Sequence, residues 1–414
     1  MSKNMSKKTK DTGKAQGKKP GLKPFIIAAA AVVVFAAAVF GLVKAVQAAN
    51  DKTFDVAFYN LPQAITEPLQ QKIAADYEKQ TGKKVNFVQL TDDQFDSEQI
   101  SKAYDLFFSW NGSAVNALQA NAQKIPAKAY SYIISSEIPQ DLNYLPLALD
   151  HWQMTYYIRG VRQTTAGYPR SLADLKELLT QLKQIVFVPM YCSGGNDNEL
   201  LALISSFTEA IGGSKAYSQL VKIFSTTPVF ADTLDVELDA ASKLTLRSVL
   251  DTIKDWQAQD LLYAKWIYSK DGELINLGKE RHIGAFFTTL TRYRNLPLSV
   301  SEGYAADRFP LVNNDDRHGL IANSVVCVKL NATSKYDGII ASLVEPDFQY
   351  ELSTATQLGP VSLTSQSYDR QADDVRYLAA VSEEGAVPDL ANACFQTDSS
   401  KKAYFAQQIR NYLK

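Results

Sequence analysis

The sequence predicts an α/β protein, and three stretches predict it. Phe54, Val56 and Phe58 alternate with Asp55 and Ala57, which is the period of a strand. Leu69, Ile73 and Tyr77 recur every four residues and give a helix one apolar face. Val85–Leu90 and Leu106–Phe108 are short apolar runs that read as two further strands. Strand–helix–strand spacing this short implies a right-handed parallel crossover.

The details of that opening agree with each other. Thr66-Glu67-Pro68 has the residue types of a helix start, and Gly82 sits where a left-handed stop is expected. The third strand ends in Ser109-Trp110-Asn111-Gly112-Ser113, a polar elbow from which a helix with Ala114, Val115 and Leu118 departs. Ligands of open parallel sheets sit beyond the carboxyl ends of the strands. Tyr59-Asn60 and Trp110-Asn111 fall there.

Upstream, residues 1–24 hold eight lysines and one acid, Asp11, and read as a disordered cytoplasmic tail. Phe25 to Val43 runs uncharged for 19 residues, close to the ~20 needed to span a bilayer as a helix. Lysine on one side alone predicts an uncleaved anchor within 25–47, with the rest of the chain exported. A cleaved signal peptide is the rival, since Val46-Gln47-Ala48 would serve as a cleavage site. Without residues 1–24 the chain carries 35 basic and 43 acidic residues, so the expected exported part is acidic. That balance, with no basic patch among aromatics, argues against nucleic-acid binding. Cys192, Cys327 and Cys394 are widely spaced and form neither a metal pattern nor a disulfide framework.

Further along, Leu147, Leu149, Trp152, Met154 and Tyr156 suggest a strand that leaves the first lobe near Asp150. Ser171-Leu172-Ala173-Asp174 is a capping box before Leu175, Leu178, Leu179 and Leu182. Asp197 is placed to cap a helix from Glu199 to Ile211, stopped at Gly212-Gly213, and another helix follows over Ser214–Phe224. A third is expected at about Leu244–Leu261. Ile283–Phe287 reads as a second crossing strand, and Phe309-Pro310-Leu311 and Leu320–Leu330 as later strands. Helices are expected near Thr333–Val344, Pro346–Ala355, Arg370–Ser382 and Ser399–Leu413. The expected division is a first lobe of 52–150 with 288–345 and a second of 158–282 with 346–414.

From Asp51 onward this order resembles the extracellular solute-binding proteins of ABC importers, in their maltose- and sugar-binding branch. Tyr77 to Val85 resembles the family's "Y-E-K-Q-T-G-K-K-V" passage, and Tyr104-Asp105-Leu106-Phe107-Phe108 its "P-D-x-x-F" strand. Tyr168-Pro169 with Leu172–Leu175 resembles "P-x-T-W-x-E-L". Gly278-Lys279-Glu280 resembles "G-K-A-A-M", and Gln357 to Val361 resembles "T-G-x-x-P-V". The chain departs from the family in three places. It has no lipobox cysteine near residue 50, Ser171-Leu172 stands for Thr-Trp, and Arg281-His282 follows where the family has methionine.

The resemblance implies a type II periplasmic-binding-protein fold, with two interleaved lobes, a hinge, and a ligand cleft between them. It implies a small-molecule ligand, a carbohydrate first of all, delivered to the transmembrane subunits of an ABC permease. It implies no catalysis, cofactor or metal. Tyr59, Asn60, Trp110 and Asn111 are candidate ligand residues on the first lobe. An aromatic face suits a sugar's C–H surface, and a planar amide suits its hydroxyls. The resemblance adds Asp150 at the first crossing, Asn196 and Asp197 on the second lobe, and Thr288, Arg292 and Tyr293 after the second crossing. Packing, a hinge salt bridge and helix capping are the plainer roles for these residues. Asp92, Asp93, Asp96 and Glu98 read as a solvated acidic face, and His151, His282 and His318 have no ligand spacing. A ligand-sensing module and an exported glycan-active enzyme are the competing functions. No G-x-S-x-G, H-E-x-x-H, Walker A or G-x-G-x-x-G motif supports catalysis.

Overall fold

From Phe54 the chain follows the predicted alternation in a computed structural model that describes residues 53–157, 169–310, 320–382 and 385–414. The basic tail and the apolar run Phe25–Val43 lie outside the described residues. Among those described, no helix is long and apolar enough to cross a membrane. The chain opens as β1 (Phe54–Tyr59), α1 (Gln63–Thr81), β2 (Val85–Leu90), α2 (Ser97–Ala103), β3 (Leu106–Trp110) and α3 (Ser113–Leu118). β1 lies between β2 and β3 and is parallel to both. Ile65, Leu69, Ile73 and Tyr77 are the buried face of α1. Gly82 ends it at φ 67°, with its N–H on the Glu78 carbonyl at 2.8 Å. The helix begins at Gln63, earlier than Thr66, so Pro68 lies inside it and removes one helical hydrogen bond.

β4 (Tyr144–Tyr157) is the long strand of the molecule and connects its two cores. Next come α4 (Leu172–Leu182), β5 (Val188–Tyr191), α5 (Asp197–Thr226), the pair β6 (Glu237–Asp239) and β7 (Leu244–Thr245), α6 (Leu246–Ala258) and α7 (Asp271–Lys279). β8 (Ile283–Thr289), α8 (Leu290–Arg294), α9 (Leu298–Ser301), β9 (Tyr304–Arg308) and β10 (Leu320–Lys329) follow. The chain closes with α10 (Asp337–Ser342), α11 (Pro346–Thr356), β11 (Gly359–Pro360), α12 (Arg370–Val381), β12 (Ala386–Val387), α13 (Leu390–Phe395) and α14 (Ser399–Leu413). The sheet runs β2-β1-β3-β10-β4-β8-β5. The Ser171 capping box is present, with Asp174 N–H on Ser171 Oγ and Ser171 N–H on Asp174 Oδ2, both at 3.1 Å. The predicted stop at Gly212-Gly213 appears as a kink in α5, where Gly213 has φ 76°. The expected strand at Phe309 is displaced to β9, which ends at Arg308.

Two apolar cores share this sheet. From Tyr144 to His151, β4 pairs antiparallel with β10; from Trp152 to Tyr156 it pairs antiparallel with β8 and β9. Leu145, Leu147 and Leu149 accordingly bury in the first core and Trp152, Met154 and Tyr156 in the second. The chain only touches the first core after β8, at Leu290: Ala285 and Phe287 remain in the second core, as does Phe309 beyond it, while Val300 and Tyr304 pack in a small separate cluster with Ile283 and Phe286. β10 carries the second crossing: Ile321 packs in the second core, Ala322, Val325 and Cys327 in the first. The first core therefore regains most of the chain near 322 and not at 288.

The expected assignment of all of 346–414 to the second lobe also needs correction. Phe348, Leu352, Leu358, Val361, Val375 and Ala379 pack in the first core, and Leu390, Phe395, Phe405 and Leu413 in the second. The reason is a long-range pairing of β11 with Ala148 and Leu149 of β4, which draws α11 and α12 onto the first core. A third crossing follows at β12, which pairs in parallel with Leu320 and Ile321 of β10.

Candidate functional site

The carboxyl ends of β1 and β3 face α5 and α13 across a cavity of about 400 Å³. Tyr59 and Trp110 end their strands at its first-core wall. Asn60 follows at φ 51°, a left-handed conformation that asparagine tolerates better than most residues. The opposite wall begins at Gly194-Gly195. A Cβ on either would lie 2.7 Å from the Trp266 carbonyl oxygen or 2.5 Å from that of Tyr268, so only glycine permits this close packing. Asn196 then caps α5, its Oδ1 accepting the Asn198 N–H at 3.0 Å.

The polar groups of the cavity are already ordered by one another. Asp92 accepts the Asn60 side-chain amide and lies 2.9 Å from the Tyr59 hydroxyl. Glu199, in the first turn of α5, is only 4% exposed and forms an ion pair with Arg292, which also pairs with Asp271. Burial pulls the Arg292 guanidinium down to about 10, so it remains protonated at neutral pH. Its backbone is held by Thr289, whose hydroxyl accepts the Arg292 N–H at 3.2 Å and so caps α8.

At the base, one residue from each crossing meets the others. Asp389 Oδ2 accepts the Trp152 indole N–H at 2.8 Å and the Asn323 side-chain amide at 3.0 Å. Its Oδ1 accepts the Asn392 N–H at 3.0 Å and caps α13. Burial raises the Asp389 carboxyl above the usual range, and these donors oppose the rise. Trp152 has one ring face stacked on Phe287, 5.0 Å between centroids and 10° between planes.

Tyr59, Asn60, Trp110, Asn196 and Arg292 all line this cavity, as do Trp152, Glu199, Asn323, Asp389 and Gln396. Five of the sequence candidates do not. Asn111 donates its backbone N–H to the Ser324 carbonyl at 2.7 Å. Asp150 is buried at the start of α8 and accepts the Thr291 N–H at 2.9 Å; burial pushes its carboxyl up to about 6. It does not face the cleft, and its partner is a backbone amide and not a hinge cation. Asp197 turns to Arg410 at 2.6 Å and lines a neighbouring depression. Thr288 is 1% exposed inside β8, and the Tyr293 hydroxyl donates to the Tyr304 carbonyl at 3.2 Å.

Tyr59 also acts differently from expectation. Its ring is 1% exposed and packs on Phe107 and Phe95, so it presents a hydroxyl to the cavity and no open face. Trp110 is half-buried, packs in part against the first core and lines the cavity. Asp92 is not part of a merely solvated face, because the cavity reaches it. Asp96 is a cap, accepting the Glu98 and Gln99 N–H groups of α2 at 3.0 Å each. Among the described residues no group of three His, Cys, Asp or Glu side chains could hold a metal ion. Cys192, Cys327 and Cys394 are free thiols.

No protein-family model matches the chain, and no curated protein matches it in sequence. Solved structures do match its fold. A chitin oligosaccharide binding protein aligns over 88% of this chain and 94% of its own, with TM-score 0.63 and 14% identity. An extracellular solute-binding protein from Staphylococcus aureus in complex with maltose aligns over 88% and 97%, with TM-score 0.55 and 14% identity. A sugar transporter protein from Bacillus licheniformis in complex with stachyose aligns over 87% and 94%, with TM-score 0.56 and 13% identity. These are named as binding or transport proteins and not as enzymes. The mixed α/β architecture of Phe54–Lys414 is thus the fold of the extracellular solute-binding proteins that its motifs resemble.

Proposed function

We propose that this protein binds a small carbohydrate between two lobes, closes on it about the three crossing segments, and delivers it to the transmembrane subunits of an ABC permease. Phe25–Val43 anchors it as a single span, with the main part outside the cytoplasm. The observation that carries the reading is the cavity where strand ends of one core meet α5 and α13 of the other. It offers the half-buried Trp110 beside side-chain amides from Asn60, Asn196, Asn323 and Asn392. An indole face suits the C–H surface of a sugar ring, and amides pair with its hydroxyls as donor and acceptor together. A volume of about 400 Å³ belongs with small-ligand sites. A ligand touching both walls binds the closed arrangement better and shifts the population toward it.

The test is thermal unfolding of the purified protein with maltose, galactose, stachyose and chitin oligosaccharides in turn. A binding sugar at 100 times its dissociation constant should add about 2.7 kcal/mol of stability, and the melting temperature should keep rising with concentration. Melting temperatures that ignore the whole panel would overturn the carbohydrate reading. Delivery is tested separately, by co-purification of permease subunits from crosslinked membranes.

A further inference from the structure

Gln396 fastens the two walls of the cavity to each other. It directly follows α13, which Leu390, Ala391 and Phe395 pack into the second core. Its partners lie almost wholly on the first-core wall. The backbone N–H donates to Ser113 Oγ at 3.0 Å, and the side-chain amide donates to the Trp110 carbonyl at 2.9 Å. Gln396 Oε1 accepts the Ala114 N–H at 2.9 Å, and its backbone carbonyl accepts the Tyr59 hydroxyl at 2.6 Å. Asn392 Oδ1 takes a further amide contact at 3.0 Å. Every donor and acceptor type of the residue is therefore engaged, and it is 8% exposed. Gly112 makes the approach possible. Its φ is +147°, and a Cβ there would lie 2.1 Å from the Asn392 carbonyl oxygen and 2.9 Å from Gln396 Oε1.

We infer that Gln396 is a positioning residue for binding, one that sets the closed spacing of the cavity walls through contacts within the protein. The groups it satisfies are those that a strand end and a helix start leave open. When the walls part, water takes over each bond, so the contact biases the closed arrangement and does not lock it. Its functional meaning rests on the cleft-binding reading, but its test needs no ligand.

The experiment measures distances by pulsed electron resonance in the full chain, without ligand, after Cys394→Ala. Spin labels go on Glu78→Cys in α1 and Lys222→Cys in α5, both exposed and one on each core side. Gln396→Ala should add a longer-distance component to the distribution. Gln396→Glu keeps the acceptor for Ala114 but sets a carboxylate against the Trp110 carbonyl, and should also lengthen the distances. If the alanine variant does not fold, the glutamate variant decides. Distributions that superimpose on the unsubstituted protein overturn the inference, even where the melting temperature falls, because that outcome marks Gln396 as packing alone. If no sugar shifts the melting temperature, the proposed function fails while this measurement stands.

Discussion

Glu137→Gln should stabilise the protein at neutral pH and leave it unchanged in acid. Glu137 ends a short helical turn and is 7% exposed. One carboxylate oxygen accepts the Ala386 N–H, at the start of the third crossing. The packing leaves no slack there, since a Cβ on Gly385 would lie 2.7 Å from that oxygen. Burial pushes the carboxyl from 4.5 up to about 7, and the bond from Ala386 only partly offsets this. A raised acid means that the folded state binds the proton more tightly than the unfolded state. Stability therefore falls as pH rises from the unfolded value toward 7, and above 7 the whole cost is present. A shift of that size corresponds to about 3 kcal/mol at ~1.36 kcal/mol per unit. Glutamine removes the charge and keeps a carbonyl oxygen for Ala386. Urea unfolding at pH 8 should favour the variant by up to about 3 kcal/mol, and at pH 4 the two curves should coincide. An equal gap at both pH values would refute the reasoning, because it would place the effect in packing and not in the charge.

Arg292→Met should destabilise the fold by about 3–5 kcal/mol, since it strands the buried Glu199 carboxylate. Adding Glu199→Gln should recover most of the loss, and a double-mutant cycle that comes out additive would contradict the pairing. Trp110→Ala should weaken sugar binding by about 1–3 kcal/mol, on the scale of stacking on aromatics, with a small change in the ligand-free melting temperature. Calorimetry with the sugar found in the screen checks this, and a large loss of stability at unchanged affinity would remove Trp110 from the site. The mature protein extracted from membranes should keep Phe25–Val43, and N-terminal sequencing that begins at Ala49 would show cleavage instead.

What was legible in the sequence was local. The alternation of Phe54–Phe58, the apolar stripe of α1 and the Ser171 box each depend on residues a few positions apart, and each formed as read. The first crossing also has a local signature. Every residue from 145 to 156 is buried, but the large apolar side chains fall on the odd positions Leu145, Leu147 and Leu149, then on the even positions Trp152, Met154 and Tyr156. A strand whose large apolar positions change parity in mid-course is turning from one core to another. The later crossings carry no such mark, because they depend on pairings such as β11 with β4 that join distant segments. The site divides in the same way. Tyr59, Asn60, Trp110 and Asn196 could be placed because each ends a strand or starts a helix. Asp389 and Gln396 could not, since their contacts with Trp152 and Trp110 span 237 and 286 positions of chain.

The reach of Asp389 also explains why the cavity sits where it does. Of the segments that run between the cores, β4 supplies Trp152, β10 supplies Asn323, and the turn after β12 supplies Asp389. One buried carboxylate thus gathers side chains from three chain passages between the two halves. Its remaining oxygen caps α13, the helix that carries Gln396 to the opposite wall. In the proposed function, relative movement of the halves turns about these segments. The same three side chains line the floor of the cavity. On the same proposal, a molecule bound there would touch these groups, and contact energy at the floor would act on the angle between the walls. Trp152 illustrates the coupling: its indole N–H is fixed by Asp389, and its ring is fixed by Phe287 of the second core. In the proposed function, binding and closure are linked at this carboxylate, and no relay through either core is required.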